Sequence, residues 1–180
     1  MNENAPQRLA LIDRDGTIIV DKVYLSDPNG IEFAPGAVGG LRLLRDAGFA
    51  LALVTNQSGI ARGLFDAATL GKIHDRLKAM LAAEGLGFEA IYVCPHGPGD
   101  GCDCRKPQPG MLRQAMRELG SGPDKAVMIG DSEADMGAAK AAGVRAVRVA
   151  AGGESGSTGA AHDFLEAAHR ARALLLPGCS

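Results

Sequence analysis

Two aspartates one residue apart, in Asp13-Arg14-Asp15-Gly16-Thr17, have a spacing that suggests chemistry. They follow a short apolar run, 8–12, that reads as a strand. In an extended segment residues i and i+2 share a side. Asp13 and Asp15 can then enter one pocket while Arg14 points elsewhere. Carboxylates this close repel each other, and a divalent cation relieves the repulsion. Gly16 permits a sharp turn. Asp and Gly are also ordinary turn residues, so the pattern needs support from elsewhere in the chain.

That support comes from three later clusters. Thr55 and Asn56 follow a second apolar run, where a hydroxyl and an amide can donate hydrogen bonds to phosphate oxygens. Arg105 and Lys106 supply two cations beside a proline-bounded turn. Asp131 and Asp135 follow a later strand, one helical turn apart, so Asp135 can brace the site from below. Singly, Thr55 suits a cap, Lys106 a solvated charge and Asp131 a helix N-cap. Their order along one chain is much harder to produce by chance.

A second constellation is Cys94-Pro95-His96, five residues, then Cys102-Asp103-Cys104. Three thiolates and an imidazole make a closed tetrahedral zinc set, leaving no position for water, so the role would be structural. The loop between the two halves has almost no core residues, and zinc would order it where packing cannot. Buried free cysteines or redox chemistry are the alternatives. The loop leads into Arg105 and Lys106, so the metal would position those cations. Cys179 reads as an incidental tail thiol, and His74, His162 and His169 as ordinary helix-face residues.

These clusters need a scaffold that brings strand ends together. Apolar strands are expected at 8–12, 50–54, 90–93, 126–129 and 146–149. Helices are expected at 38–46, 67–84, 111–119, 133–142 and 160–176. This alternation predicts an α/β fold, a Rossmann-like three-layer sandwich with a mainly parallel sheet. Ligands then bind beyond the carboxyl ends of the strands. The insertion at 18–35 suits a hairpin or flap over the site and is too short for a large cap domain. The Gly/Ser-rich run 152–159 reads as a mobile connection.

Length and charge agree with this reading. The chain's 180 residues suit a single domain, 1–180, and 46% hydrophobic with 22% charged residues is a globular composition. A net charge of -2 argues against nucleic acid or an acidic membrane as the main partner. No apolar run approaches a membrane span, and 1–7 lacks a signal-peptide pattern. A cytoplasmic monomer acting on a small molecule is the expectation.

The motifs together resemble the haloacid-dehalogenase-like phosphatases, whose four motifs match Asp13-Arg14-Asp15-Gly16-Thr17, Thr55, Lys106 and Gly130-Asp131 with Asp135. The resemblance runs from about residue 9 to 149. It implies that Asp13 is the nucleophile and forms an aspartyl phosphate. Asp15 would be the general acid and then the general base. Thr55 and Lys106 would stabilise the transferring group. Mg²⁺ would be held by the carboxylates of Asp13 and Asp131 and the backbone carbonyl of Asp15.

With the zinc loop, 94–104, the chain resembles the D-glycero-D-manno-heptose 1,7-bisphosphate 7-phosphatases and their relatives, the histidinol-phosphate phosphatases. The run from Thr55 to Gly63 looks like the heptose branch, as do Cys104-Arg105-Lys106-Pro107 and Pro109-Gly110-Met111. The short zinc loop is closer to the histidinol-phosphate form. The resemblance implies substrate contacts at Asp21, Lys22, Val23, Tyr24, Asn56, Gln57, Ser58, Arg105 and Ser132. Arg105 and Arg62 are candidates for a second phosphate on a sugar bisphosphate. A non-catalytic zinc-stabilised binding module would be favoured by loss of Asp13, Asp15 or Lys106, and all are present. A nucleic-acid end phosphatase would share a similar Thr-Asn-Gln stretch, but no aromatic-basic patch accompanies it here.

Overall fold

A computed structural model describes residues 8–150 and 159–176. Five strands form one parallel sheet: β1 (Arg8–Ile12), β2 (Phe49–Asn56), β3 (Ala90–Cys94), β4 (Ala126–Gly130) and β5 (Arg145–Arg148). Their order across the sheet is β3-β2-β1-β4-β5. Five helices alternate with them: α1 (Ala37–Asp46), α2 (Ala67–Ala83), α3 (Gly110–Glu118), α4 (Glu133–Ala142) and α5 (Phe164–Leu175). None is long and apolar enough to cross a membrane.

Side chains on a strand alternate between faces, and the core divides accordingly. Ala10 and Ile12 of β1 join Leu41, Leu44, Ile73, Leu77 and Phe164 beneath α1, α2 and α5. Leu9 and Leu11 join Met111, Leu112, Ala138 and Ala139 beneath α3 and α4. The expected three layers follow. Strands covered on both faces have no solvated side, which is why they read as continuous apolar runs. The α1–α5 contact is tight, because a Cβ on Gly40 would lie 2.5 Å from the Phe164 ring.

The last helix starts later than the expected residue 160. Ala161 instead bridges Val149, and its N–H donates to Arg148 O at 2.7 Å. Asp163 then caps α5 by accepting from Glu166 N–H at 2.8 Å. His162 therefore precedes the helix and is not on its face. The expectations for Cys179 and for most of the run 152–159 fall outside the described residues.

The segment 18–35 closes at its base as a short antiparallel pairing. Val20 N–H donates to Glu32 O at 2.9 Å and Ala34 N–H to Ile18 O at 3.0 Å. Ile18, Ile19, Leu25 and Ile31 are buried and anchor it to the core. Its tip carries Val23 and Tyr24 at φ 49° and 59°. A β-branched residue rarely adopts that conformation.

Candidate active site

The strand order reverses at β1, with β2 on one side and β4 on the other. Open α/β sheets bind ligands beyond the carboxyl ends of the strands at such a switch. Asp13 follows β1 and Asp131 follows β4, so the crevice opens between them. Asp13 N–H donates to Ile129 O at 2.9 Å, which holds the two strand ends together. Asp131 packs directly on Gly16, where a Cβ would lie 2.3 Å from the Asp131 carboxylate. Gly16 also has a φ of +75°, so glycine serves both the turn and the close approach.

Lys106 reaches this crevice from the loop after β3. Its Nζ lies 2.6 Å from Asp13 Oδ1, 2.6 Å from Asp135 Oδ1 and 2.8 Å from Val54 O. Burial alone would lower its pKa, but Asp13 and Asp135 outweigh burial and hold the ammonium above its ordinary value. Asp135 is fully buried. Its other oxygen accepts from Ser132 N–H at 3.0 Å and Ser132 O–H at 2.6 Å, a capping box at the start of α4. Ser132 is thus the N-cap, with its hydroxyl turned to Asp135.

Asp13, Asp131 and Asp135 each place a carboxylate oxygen within 4.8 Å of the others. One ammonium faces three carboxylates in a buried crevice. Burial pushes Asp13 up to about 7 against the pull of Lys106, and Asp135 adds to the rise. Burial, then Asp135, pushes Asp131 up to about 6. A hard divalent cation held by oxygen ligands would relieve this crowding, so Asp13 and Asp131 fit Mg²⁺ while Asp135 stays with Lys106 and Ser132.

Arg14 does not point away from the pair it separates. It is 1% exposed, and its Nε and Nη2 lie 3.0–3.2 Å from the Asp15 carboxylate. A long side chain can fold back where a buried charge needs a partner. Gln57 completes the grip, its Nε2 donating to Asp15 Oδ2 at 2.9 Å and to Thr55 Oγ at 2.7 Å. The Asn56 amide donates to Lys106 O and accepts from Lys106 N–H, both at 3.0 Å.

Between the flap and the β2 end lies a cleft of about 290 Å³, lined by Asp15, Asp21, Val23, Tyr24, Gln57 and Ser58 among others. Arg62 stacks over the Tyr24 ring at 5.7 Å. Lys22 faces outward in an ion pair with Glu32 at 2.7 Å. Arg105 lines a neighbouring cleft, and its Nη1 donates to His96 O at 3.1 Å.

The four zinc-type residues also converge. Cys94 Sγ lies 3.7 Å from Cys102 Sγ and 3.2 Å from Cys104 Sγ. His96 Nδ1 lies 3.6 Å from Cys94 Sγ and 3.3 Å from Cys104 Sγ. A tetrahedron with Zn–S bonds near 2.3 Å requires sulfur separations of about 3.8 Å; the Cys94–Cys102 pair matches this and the Cys94–Cys104 pair is closer, so a donor set of the zinc type is gathered around one point. Burial and the neighbouring thiols push Cys104 up to about 12. Clustered thiols cannot all ionise without a cation among them.

Comparison with known proteins agrees with this geometry. A HAD-hydrolase-like family model matches residues 103–174. The D-glycero-beta-D-manno-heptose-1,7-bisphosphate 7-phosphatase of Pseudomonas putida is 43% identical over 146 residues, 81% of this chain and 83% of the relative. The chain belongs to the heptose-bisphosphate phosphatase family. The family's enzyme from Bordetella bronchiseptica is 43% identical over 76% of each chain. A crystal structure of D,D-heptose 1,7-bisphosphate phosphatase from B. bronchiseptica, complexed with magnesium and phosphate, superposes with a TM-score of 0.81. It is 37% identical, and the match covers 91% of this chain and 97% of that one.

Sequence reasoning missed the Asn56 clamp on Lys106 and the Arg14 fork. It also missed that His74 is buried on α2 and 3.2 Å from Arg14 Nη1. One signal was available: His74 sits on the stripe of Leu70, Ile73, Leu77 and Leu81, where a polar residue needs a partner.

Proposed function

We propose that this chain removes the 7-phosphate of D-glycero-β-D-manno-heptose 1,7-bisphosphate through an aspartyl-phosphate intermediate. The observation that carries the reading is the buried Asp13–Lys106–Asp135 chain at the switch point, with Asp131 beside it. The named activity of relatives 43% identical supports the substrate.

Asp13 attacks phosphorus, and the bond to the sugar oxygen breaks as the Asp13–phosphorus bond forms. Lys106 fixes the attacking carboxylate and faces the charge that gathers on the phosphoryl oxygens. Thr55 stands beside it as a further donor. Asp15, gripped by Arg14 and Gln57, gives a proton to the departing sugar oxygen. It then takes a proton from the water that attacks the aspartyl phosphate and restores Asp13. Mg²⁺, held by Asp13, Asp131 and the Asp15 backbone carbonyl, would screen nucleophile from phosphate when bound.

The cleft beneath the flap, about 290 Å³, suits a sugar-sized ligand. Asp21, Val23, Tyr24, Gln57 and Ser58 would line the sugar, and Arg105 would meet the phosphate that stays behind. Zinc on Cys94, His96, Cys102 and Cys104 would set the loop that carries Arg105 and Lys106.

The experiment offers the purified chain heptose 1,7-bisphosphate and histidinol phosphate with Mg²⁺. Phosphate release from the 7-position, with the 1-phosphate retained, is expected. Preference for histidinol phosphate would overturn the substrate, and inertness toward both would overturn the phosphatase reading.

A further inference from the structure

Among the described residues, His74 is a buried titratable group that the mechanism above leaves unused. His74 lies on α2, is 8% exposed, and meets Arg14 Nη1 through Nε2 at 3.2 Å. Any core imidazole needs a partner. What distinguishes this one is its donor, the arginine between the two motif aspartates. Arg14 is itself buried, and its remaining nitrogens fork onto Asp15. Three residues thus form a line from the middle of α2 to the carboxylate at the mouth of the crevice.

We infer that His74 is a positioning residue that acts through Arg14 to hold Asp15 in the orientation proton transfer requires. The inference rests on the reading of Asp15 as general acid and base.

The chemistry of the contact supports it. A guanidinium only donates, so His74 Nε2 must accept and the ring must be neutral with its proton on Nδ1. Burial and the adjacent Arg14 charge both favour the neutral ring. With Nη1 satisfied, the planar guanidinium has one low-energy setting, and its fork fixes both the distance and the plane of the Asp15 carboxylate. Gln57 holds that carboxylate from the other side at 2.9 Å. Without an acceptor at position 74, buried Nη1 loses its partner and the guanidinium turns to find another. The carboxylate then turns with it. Small displacements of a proton donor cost rate steeply.

The helix makes the anchor rigid. Asp66 caps α2 by accepting from Thr69 N–H at 2.7 Å. Leu70, Ile73 and Leu77 are buried around His74 on the same face. The imidazole therefore sits on a packed element and not on a loop.

The test exploits leaving-group chemistry. An alkyl phosphate such as the heptose ester needs a proton on its departing oxygen, whereas 4-nitrophenolate departs without one. Each variant is assayed with both esters, and kcat/KM is compared because it reports the steps through loss of the leaving group. His74→Leu is expected to lower kcat/KM for the heptose bisphosphate about 10- to 100-fold, part of the roughly 10²–10⁴-fold that general acid catalysis contributes. Its kcat/KM for 4-nitrophenyl phosphate should fall less than about threefold, since that step draws little on the acid. His74→Gln, which keeps an acceptor, should restore most of the lost heptose activity. Arg14→Lys, which keeps the charge but not the fork, should show the same ester selectivity as His74→Leu and covers the case in which the leucine variant does not fold. Equal losses on both esters would overturn the inference, as would a fully active His74→Leu or an Arg14→Lys without selectivity. A wild type that hydrolyses neither ester would instead sink the phosphatase reading, and this inference with it.

Discussion

Asn56 clamps the backbone of Lys106 from both sides, donating to its carbonyl and accepting from its N–H at 3.0 Å each. The clamp joins the end of β2 to the loop that delivers the buried ammonium. A side-chain amide is well matched to a peptide unit because both carry one donor and one acceptor in a plane. Asn56→Asp keeps the size but sets a carboxylate oxygen against the Lys106 carbonyl. It should lower kcat by at least about tenfold and destabilise the fold by about 1–3 kcal/mol, the cost of losing one or two such bonds. Wild-type kcat together with wild-type urea stability would count against the clamp.

Asp13→Asn should abolish turnover and leave the fold intact. An amide lacks the nucleophilic oxygen and the charge to hold a cation. Steady-state turnover within about tenfold of wild type, a barrier change of only ~1.4 kcal/mol, would rule out Asp13 as the nucleophile. Circular dichroism of the same sample checks that the protein is folded.

One tightly held zinc per chain is expected in metal analysis, bound by Cys94, His96, Cys102 and Cys104. Brief EDTA treatment should remove catalytic magnesium and spare the zinc, so excess Mg²⁺ should restore activity. Cys104→Ser should lower zinc content and activity together, because the loop runs directly into Arg105 and Lys106. Normal activity in a zinc-free protein would refute the assignment.

Arg105 half-faces its cleft and is anchored to His96 O at 3.1 Å. Arg105→Ala should weaken hydrolysis of the heptose bisphosphate by about 1.5–3 kcal/mol in kcat/KM, the scale of hydrogen bonds to a charged group. A simple monophosphate should be affected much less, since it leaves no second phosphate to bind. Equal losses on both would show that Arg105 serves the transferring phosphate.

His74 also predicts a pH dependence of stability. Burial, then Arg14, lowers its pKa from 6.5 to about 4 in the folded chain. Above pH 6.5 the ring is neutral in both folded and unfolded states and its contribution is flat. As pH falls from 6.5 toward 4, the unfolded chain takes up a proton that the folded chain refuses, so stability is lost. Below 4 both states are protonated and the loss levels off. Between pH 7 and pH 5 wild type should therefore lose about 2 kcal/mol more than His74→Gln in urea unfolding. Identical pH slopes for the two proteins would contradict the buried neutral imidazole.

The sequence alone determined the elements and the fold class, and the tertiary structure the strand order β3-β2-β1-β4-β5. Continuous apolar runs such as 50–54 belong to strands covered on both faces, and the helices between them are marked by caps and glycines, so each element was legible locally. Motif spacing likewise placed Asp13, Asp131 and Cys94 at strand ends, because apolar runs mark where each strand stops. The tertiary structure decided how long side chains are used. Arg14 turns back to Asp15 because His74, sixty residues later, closes the other end of its guanidinium. Asn56 grips the loop after β3 because Lys106, fifty residues later, presents its backbone. Such pairings depend on which groups are left without water in a shared interior, and no local pattern of residues records that.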